Sequence, residues 1–369
     1  PYPWELFPQY LSSVPARDPA ALGMLAVPGN ELSKDNTNSW SERTGGQFNH
    51  HNDFFTGRQG QEFASLQESY AYTYALGGMQ IINHPGQYWS IDNTYSETQK
   101  DGPGWHASNF IKFPSLVGLE VYNQGNRRPN DRILWDQILE RTMPQRTVFG
   151  YSCDDAHNND QLFRNYNFML MEDLTTEELK DAMRKGETYF CYEPKGSGEG
   201  KAPRINTIEF DHANQTIKID ANGLIHWIYG TDKTSTAASS TRSTVVGIGD
   251  TFCYKGYQGT YVRALITNAY GETCTQPIAF IDKRSQDLDE NIQVVYPMLL
   301  AYPNPAHDYV TIFVKDGIEA KQLQVYDLNG SIILTKELDG VYTKLNITDL
   351  PIGIYLVRVG EHGVTFIKE

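Results

Sequence analysis

The chain has little with which to build disulfides and nothing that reads as a membrane span. Four cysteines, Cys153, Cys191, Cys253 and Cys274, are spread over 369 residues. No C-x-x-C pair occurs, which argues against a structural zinc knuckle. Cys253 and Cys274 sit in neighbouring strand-like segments. An exported chain could pair them, and two free thiols fit the sequence equally well. No apolar run approaches the roughly 20 residues that cross a bilayer. Basic residues are scarce: 31 Lys and Arg stand against 45 Asp and Glu, a net charge of −14. That sign argues against nucleic acid as the main partner, because backbone phosphates need a basic footprint. A phosphorylated small molecule held on metal ions stays compatible. A G-x-S-x-G nucleophile elbow and a P-loop are both missing. The chain opens at Pro1 with neither Met nor an apolar leader and so reads as trimmed.

What remains is globular material in two or three domains. The first half alternates strand and helix signals. Short apolar runs at Met24 to Val27, Met79 to Ile82, Leu116 to Tyr122, Thr147 to Phe149 and Phe168 to Met171 predict strands. Helices are expected over about 63–76, 131–142 and 176–185. The last opens with Thr175 and Glu178 in capping-box spacing and stops at Gly186. Strands separated by helices predict βα units around a mainly parallel sheet or barrel. Near residue 200 a Gly-rich linker, Lys195 to Lys201, leads into strand-like segments with a Ser/Thr-rich loop from Thr234 to Thr244. This stretch predicts a β-sandwich over 202–281. A polar linker, Asp282 to Asn291, precedes an all-β module over 298–369, whose Asp327-Leu328-Asn329-Gly330 marks a hairpin.

Five of the nine histidines fall in the first 157 residues. His84 follows the run ending at Ile82. Glu31 follows Met24 to Val27 across a Pro28-Gly29 turn. Glu120 lies within Leu116 to Tyr122, and Asp155 and His157 come just after Thr147 to Phe149. In βα barrels functional groups gather at the C-terminal ends of strands. Mixed imidazole and carboxylate donors suit zinc, manganese or iron. Each residue alone is unremarkable: a His after a strand is usually a satisfied polar group, and His106, among glycines, reads as loop surface. The signal is recurrence at one structural position.

In order along the chain, Val27-Pro28-Gly29-Asn30-Glu31, His50 with Asn52, Asn83-His84-Pro85, Gly118-Leu119-Glu120-Val121-Tyr122-Asn123 and Asp154-Asp155-Ala156-His157 resemble successive motifs of the PHP family, named for its polymerase and histidinol phosphatase members. Gly186-Glu187-Thr188-Tyr189 resembles that family's closing segment. The resemblance covers residues 1 to 195. It implies an α/β fold, a distorted (β/α)7 barrel with up to three divalent metals, and phosphoester hydrolysis by a metal-activated water. By motif, Glu31, His50, His84, Asp155 and His157 are the implied ligands. His51 stands as the alternative to His50, and Glu120 as a supporting carboxylate near the site. The family's first strand, with its His-x-His pair and a later Asp-His, has no counterpart here.

Tyr302-Pro303-Asn304-Pro305, the hairpin Val325 to Gly330, Leu350-Pro351-Ile352-Gly353-Ile354-Tyr355 and Lys368 resemble the C-terminal sorting domain of the type IX secretion system. That implies export to the cell surface or medium and contact with the secretion machinery. The middle sandwich reads as a packing unit, with glycan binding through Trp227, Tyr229, Tyr254 and Tyr257 as the other possibility. The expected function is an exported, metal-dependent hydrolase of phosphoesters. A non-catalytic surface scaffold and a hydrolase of a non-phosphate ester or amide are the alternatives.

Overall fold

The structure, a computed structural model, describes residues 18–33, 50–57, 65–89, 101–196, 200–231, 243–280 and 297–369. The chain is 42% strand and 17% helix. The first sheet carries β1 (Gly29–Ser33), β2 (His50–Phe54), β3 (Met79–Ile82), β4 (Leu116–Asn123) and β5 (Phe149–Cys153), in that spatial order. Helix α1 (Leu66–Ala75) precedes β3, α2 (Pro103–Lys112) joins β3 to β4, and α3 (Asn130–Thr142) joins β4 to β5. Both crossovers link parallel neighbours, as βαβ units must. β4 is buried at every position, the pattern of a strand covered on both faces.

The expected (β/α)7 barrel does not form. β1 and β2 pair antiparallel, as do β2 and β3, so only β3, β4 and β5 run parallel. Beyond β5, the strands β6 (Asn165–Met169) and β7 (Thr188–Tyr192) do not continue the first ladder. With α4 (Thr176–Lys185) between them they form an antiparallel pair. That pair belongs to a second sheet of order β11-β10-β13-β14-β7-β6. Its other strands come from the middle of the chain: β10 (Leu224–Thr231), β11 (Ser243–Ile248), β13 (Tyr261–Thr267) and β14 (Glu272–Thr275), with β15 (Ile278–Ala279) on β13. Side chains link β5 to this sheet. Asn167 accepts from the Ser152 amide at 2.9 Å, the Ser152 hydroxyl donates to the Cys191 carbonyl at 2.7 Å, and the Gln276 amide pairs with both the N–H and the carbonyl of Gly150. One sheet therefore runs across the linker near residue 200. A small sheet of β8 (Ile205–Asp211), β9 (Thr216–Ala221) and β12 (Thr251–Cys253) packs on it around a core of Ile217, Ile219, Trp227 and Phe252.

Other expectations shift in detail. Met24 to Val27 forms no strand; the chain becomes extended only at Gly29. α2 went unread because it opens Gly102-Pro103-Gly104, which resembles a turn, although Pro at the first helical position is compatible with a helix start. It carries His106 into the interior, fully buried, rather than onto a loop. Of Thr234 to Thr244, Ser243 and Thr244 belong to β11; residues 234–242, and the linker 282–291, lie outside the described residues. α4 begins and ends as predicted, with the Thr175 hydroxyl accepting from the Glu178 amide and Gly186 closing it at φ 72°. Trp227 is fully buried, and Tyr229, Tyr254 and Tyr257 pack against cores, which supports packing over a stacking platform. All four cysteines are free thiols.

The last module pairs a sheet of β16 (Leu299–Tyr302), β17 (Tyr309–Val314) and β20 (Tyr342–Asn346) with one of β18 (Gln322–Tyr326), β19 (Ile332–Glu337), β21 (Gly353–Val359) and β22 (His362–Lys368). It docks on α1. Tyr342 meets Tyr72 edge-on, Tyr302 meets Phe113, the Tyr74 hydroxyl donates to the Pro297 carbonyl at 2.7 Å, and the Asp316 amide donates to the Ala75 carbonyl at 2.7 Å.

A buried ion pair adds a tie between helix α3 and the second sheet. Arg263 on β13 donates from Nε and Nη2 to the two carboxylate oxygens of Asp136 on α3, at 2.8 and 2.7 Å. Ser243 and Tyr261 add hydroxyl donors to the same carboxylate. Both ends of the pair are almost fully buried, and Arg263 also lies 5.0 Å from the Trp135 ring centre. Removing one partner of such a pair strands a buried charge. Asp136→Ala is therefore expected to cost about 3–5 kcal/mol in urea unfolding. The first sheet and the middle unit should lose structure in one transition; two separated transitions would contradict the coupling.

His106 gives a second expectation. Neither ring nitrogen has a hydrogen-bond partner among the described residues, and burial pulls its pKa from 6.5 to about 3. The unfolded chain then binds a proton below pH 6.5 that the folded chain refuses, so stability falls with pH between those values. By linkage the loss from pH 7 to pH 5 is about 2 kcal/mol. His106→Leu should remove that part of the decline in chemical denaturation at the two pH values.

Candidate metal centre

Strand alternation decides between the two adjacent histidines of β2. Side chains of His50 and Asn52 face one side and those of His51 and Asp53 the other. His51 is buried on the helix side, where its Nε2 meets the Ser69 hydroxyl at 2.9 Å and its ring meets Tyr70 edge-on. His50 turns to the opposite face. There its Nδ1 lies 2.9 Å from Glu31 Oε1 on β1, and its ring centre is 5.2 Å from that of His84. Glu31, His50 and His84 each offer a ligand atom, all within 4.8 Å of one another. Three segments separated by 19 and 34 residues (50 − 31 and 84 − 50) thus converge on one point. Asn83 donates to both Glu31 and Asn52, at 3.2 and 3.0 Å, and fixes the spacing of β1, β2 and the end of β3.

His84 stands just beyond β3 at φ 30°, ψ 52°, in the left-handed region. For a residue with a Cβ this geometry costs on the order of 1–3 kcal/mol and persists only where its surroundings impose it. Two buried carboxyls do so. Glu120 on β4 accepts from the His84 amide at 2.9 Å, and Asp131 in the first turn of α3 accepts from the Gly86 amide. Gly86 is required there, because a Cβ would meet the Asp131 backbone nitrogen at 2.4 Å. Asp155 and Gln124, also non-glycine residues at positive φ (43° and 46°), complete the rim.

Asp155 Oδ2 lies 4.0 Å from His84 Nε2. It accepts from the Asn123 and Gln124 side-chain amides at 3.3 and 3.2 Å. His157 is exposed; its Nδ1 sits 2.8 Å from the Asp155 carbonyl and 3.3 Å from Gln124 Nε2. The predicted ligands therefore separate into a tight trio, Glu31, His50 and His84, and a flanking pair, Asp155 and His157. Glu120 is not part of the trio. Its role is to hold the backbone of His84, not its ring. Sequence reading missed Asp131, Asn83 and Gln124; Asn83 and Gln124 lay inside or beside motif segments, whereas Asp131 looked like an ordinary residue of a helix start.

The electrostatics suit cation binding. Burial, reinforced by the neighbouring His50, lowers His84 to about 4, so the imidazole is neutral near pH 7 with no proton to displace. The hydrogen bond from His50 holds Glu31 below its ordinary range. Burial raises Glu120 to about 8, which leaves it protonated at neutral pH and able to accept the His84 amide without adding charge. The His84 ring itself is poorly satisfied. Nδ1 is buried with no partner among the described residues, and the 4.0 Å to Asp155 is too long for a hydrogen bond from Nε2. One carboxylate and two imidazoles form a common hydrolytic zinc set with an open fourth position. Tetrahedral bonds of about 2.0–2.1 Å would put donor atoms about 3.3 Å apart, within a small side-chain adjustment of this trio.

Residues 300–369 match the family model of the secretion system C-terminal sorting domain. That domain directs export through the type IX system to the cell surface or medium. Among the described residues no helix is long and apolar enough to cross a membrane. The comparisons give no evidence for a PHP domain in the first 195 residues. No curated protein matches the chain. Two solved structures are similar over 49% of it. One is PorZ, described as an essential bacterial surface component of the type IX secretion system of Porphyromonas gingivalis, at 15% identity and TM-score 0.17, covering 28% of that protein. The other is dimeric latent PorU from Porphyromonas gingivalis, at 12% identity and TM-score 0.16, covering 23% of it. The chain thus spans about a quarter of each.

Histidine substitutions test the alternation directly. His50→Ala and His84→Ala are expected to abolish stoichiometric zinc or manganese in elemental analysis of purified protein, and His51→Gln to retain it. Equal metal content in all three would refute the assignment.

Proposed function

We propose that this chain is an exported hydrolase that activates water on a divalent cation held by Glu31, His50 and His84, with a phosphoester as substrate. The observation that carries this reading is the convergence of the three donors around the buried imidazole of His84. These residues would hold the ion, which would supply Lewis acidity and a water of near-neutral pKa. The chain's residues do the rest. Glu120 and Asp131 hold the His84 turn, and Asn83 sets the Glu31 carboxylate. Asp155, steadied by Asn123 and Gln124, offers a further carboxylate on the open side, as an additional ligand or as the group that takes the water's proton.

Two arginines favour an anionic substrate. Arg127 donates to the Gln124 side chain, which in turn bonds Asp155. Arg128 is the neighbour of Arg127 in the chain. In a chain of net charge −14, a cationic loop beside the donors is the feature a phosphate would read. The two-imidazole, one-carboxylate set also occurs in zinc peptidases, which keeps hydrolysis of a carboxylic ester or amide as the second reading.

A panel of phosphomonoester, phosphodiester, ester and peptide substrates separates the two. Turnover of a phosphate substrate that a chelator abolishes and added zinc or manganese restores is the expected result. Glu31→Gln should lower kcat by at least about 100-fold with unchanged circular dichroism. A fully metallated chain with no turnover on any member would end the enzymatic reading.

A further inference from the structure

We propose that Arg127 and Arg164 form an anion subsite beside the metal centre, so that the substrate is a phosphoester carrying a second anionic group. The proposal rests on the reading of Glu31, His50 and His84 as the centre that cleaves the ester. Contacts lead outward from that centre in a line. His84 lies 4.0 Å from Asp155, Asp155 accepts from the Gln124 side chain, and Gln124 in turn accepts from Arg127. Two side chains stand between the Arg127 guanidinium and the trio, which leaves it for a group other than the phosphate under attack.

Arg164 ends the loop that carries His157, and its side chain packs at Gly125, the residue after Gln124. Its Cδ lies 3.8 Å from the point where a Cβ on Gly125 would stand. The fold keeps room for it. A Cβ on Gly196 would come within 2.8 Å of Arg164 Cγ, and the Asn165 side chain clamps Gly125 by bonding both its N–H and its carbonyl. Nη2 of Arg164 is anchored on the Asp160 carbonyl at 2.8 Å, and Nε is buried with no hydrogen-bond partner among the described residues. Neither Arg127 nor Arg164 forms an ion pair among the described residues. The acids of the same loop are engaged elsewhere: Asp154 accepts from the backbone amides of Phe163, Arg164 and Asn165, and Asp160 meets Arg164 through its carbonyl. A chain of net charge −14 thus leaves two guanidinium groups without a carboxylate on the loops that flank the donors. Arginine forks suit phosphate and carboxylate, and a side chain already anchored loses less freedom when an anion binds.

Paired substrates test the subsite on the metal-loaded full chain. Fructose 1,6-bisphosphate is set against fructose 6-phosphate, and 3-phosphoglycerate against glycerol 3-phosphate, at equal ionic strength. The doubly anionic member is expected to have the higher kcat/KM, by about tenfold. Preference within the first pair alone identifies a second phosphate; preference within both admits a carboxylate as well. Arg164→Gln and Arg127→Gln should each remove most of the preference, and Arg164→Lys should keep part of it, because lysine still offers a point charge. A purely bracing role for Arg164, holding its loop through the Asp160 carbonyl, would lower Tm in Arg164→Gln and leave the ratio unchanged. Arg127 is exposed, so Arg127→Gln carries the test if Arg164→Gln does not fold.

Calorimetry on the chain stripped of metal with a chelator separates the subsite from the reading it rests on. Binding of fructose 1,6-bisphosphate that Arg164→Gln weakens about tenfold, with no turnover of any compound after metal is restored, keeps the subsite and removes the phosphoesterase. Turnover without a preference for the doubly anionic member keeps the phosphoesterase and overturns the subsite, as does a preference that both glutamine variants leave intact. Neither binding nor turnover overturns both.

Discussion

The bidentate pair between Asp136 and Arg263 fixes α3 against the second sheet, and the placing of Glu31, His50 and His84 depends on where α3 lies. Five residues earlier on the same helix, Asp131 receives the Gly86 amide. Any rotation or slide of the helix would carry that carboxyl away and release the turn that holds His84. An ion pair this deeply buried gives little net stability over a well-packed apolar substitute, and its loss on one side is expensive. Its contribution is therefore positional. It allows one arrangement of helix and sheet, and that arrangement sets the site.

The same logic explains why the local sequence pattern misled about architecture. β3, α2, β4, α3 and β5 do form parallel crossovers, and nothing in their residues distinguishes a closed barrel from an open sheet of five strands. What decides is how the edges are used. β5 meets β6 and β7 through Ser152, Asn165 and Asn167, and the end of β14 through Gln276, rather than through a backbone ladder. β7 instead pairs with β14, about 80 residues further on. Partners that distant leave no periodic trace. By contrast, the last module is legible because several of its strands alternate: β20 and β21 bury every second residue along most of their length, as a sandwich face demands.

At the site, the residue types were legible and their division of labour was not. A His-His pair on a strand can place only one ring on a given face, so His50 and His51 could not both be ligands, but choosing between them required knowing which face carried the helices. Glu120 was recognisable as a carboxylate near the donors. Its true partner, the His84 amide, follows from the left-handed turn that points this N–H back toward β4, and a backbone angle is not written in residue identity. His106 shows the reverse failure. Glycines around Pro103 suggested a loop, yet tertiary packing seated the helix and buried an imidazole with no partner.

Two costs meet at His84: a left-handed backbone of on the order of 1–3 kcal/mol and a buried ring nitrogen left unpaired, about 1–3 kcal/mol more. The amide bonds to Glu120 and Asp131 offset the first, at about 1 kcal/mol each, and among the described residues no hydrogen-bond partner offsets the second. A cation bound through the ring would add a favourable term against both costs. Binding energy is then spent on a geometry already formed, so little reorganisation is required when the ion arrives. Relieving the backbone strain would remove the constraint that keeps three distant donors within reach of a single ion. Strain at this turn and the convergence of Glu31, His50 and His84 are on that account two aspects of one arrangement, with the hydrogen bonds of β4 and α3 as the link between them.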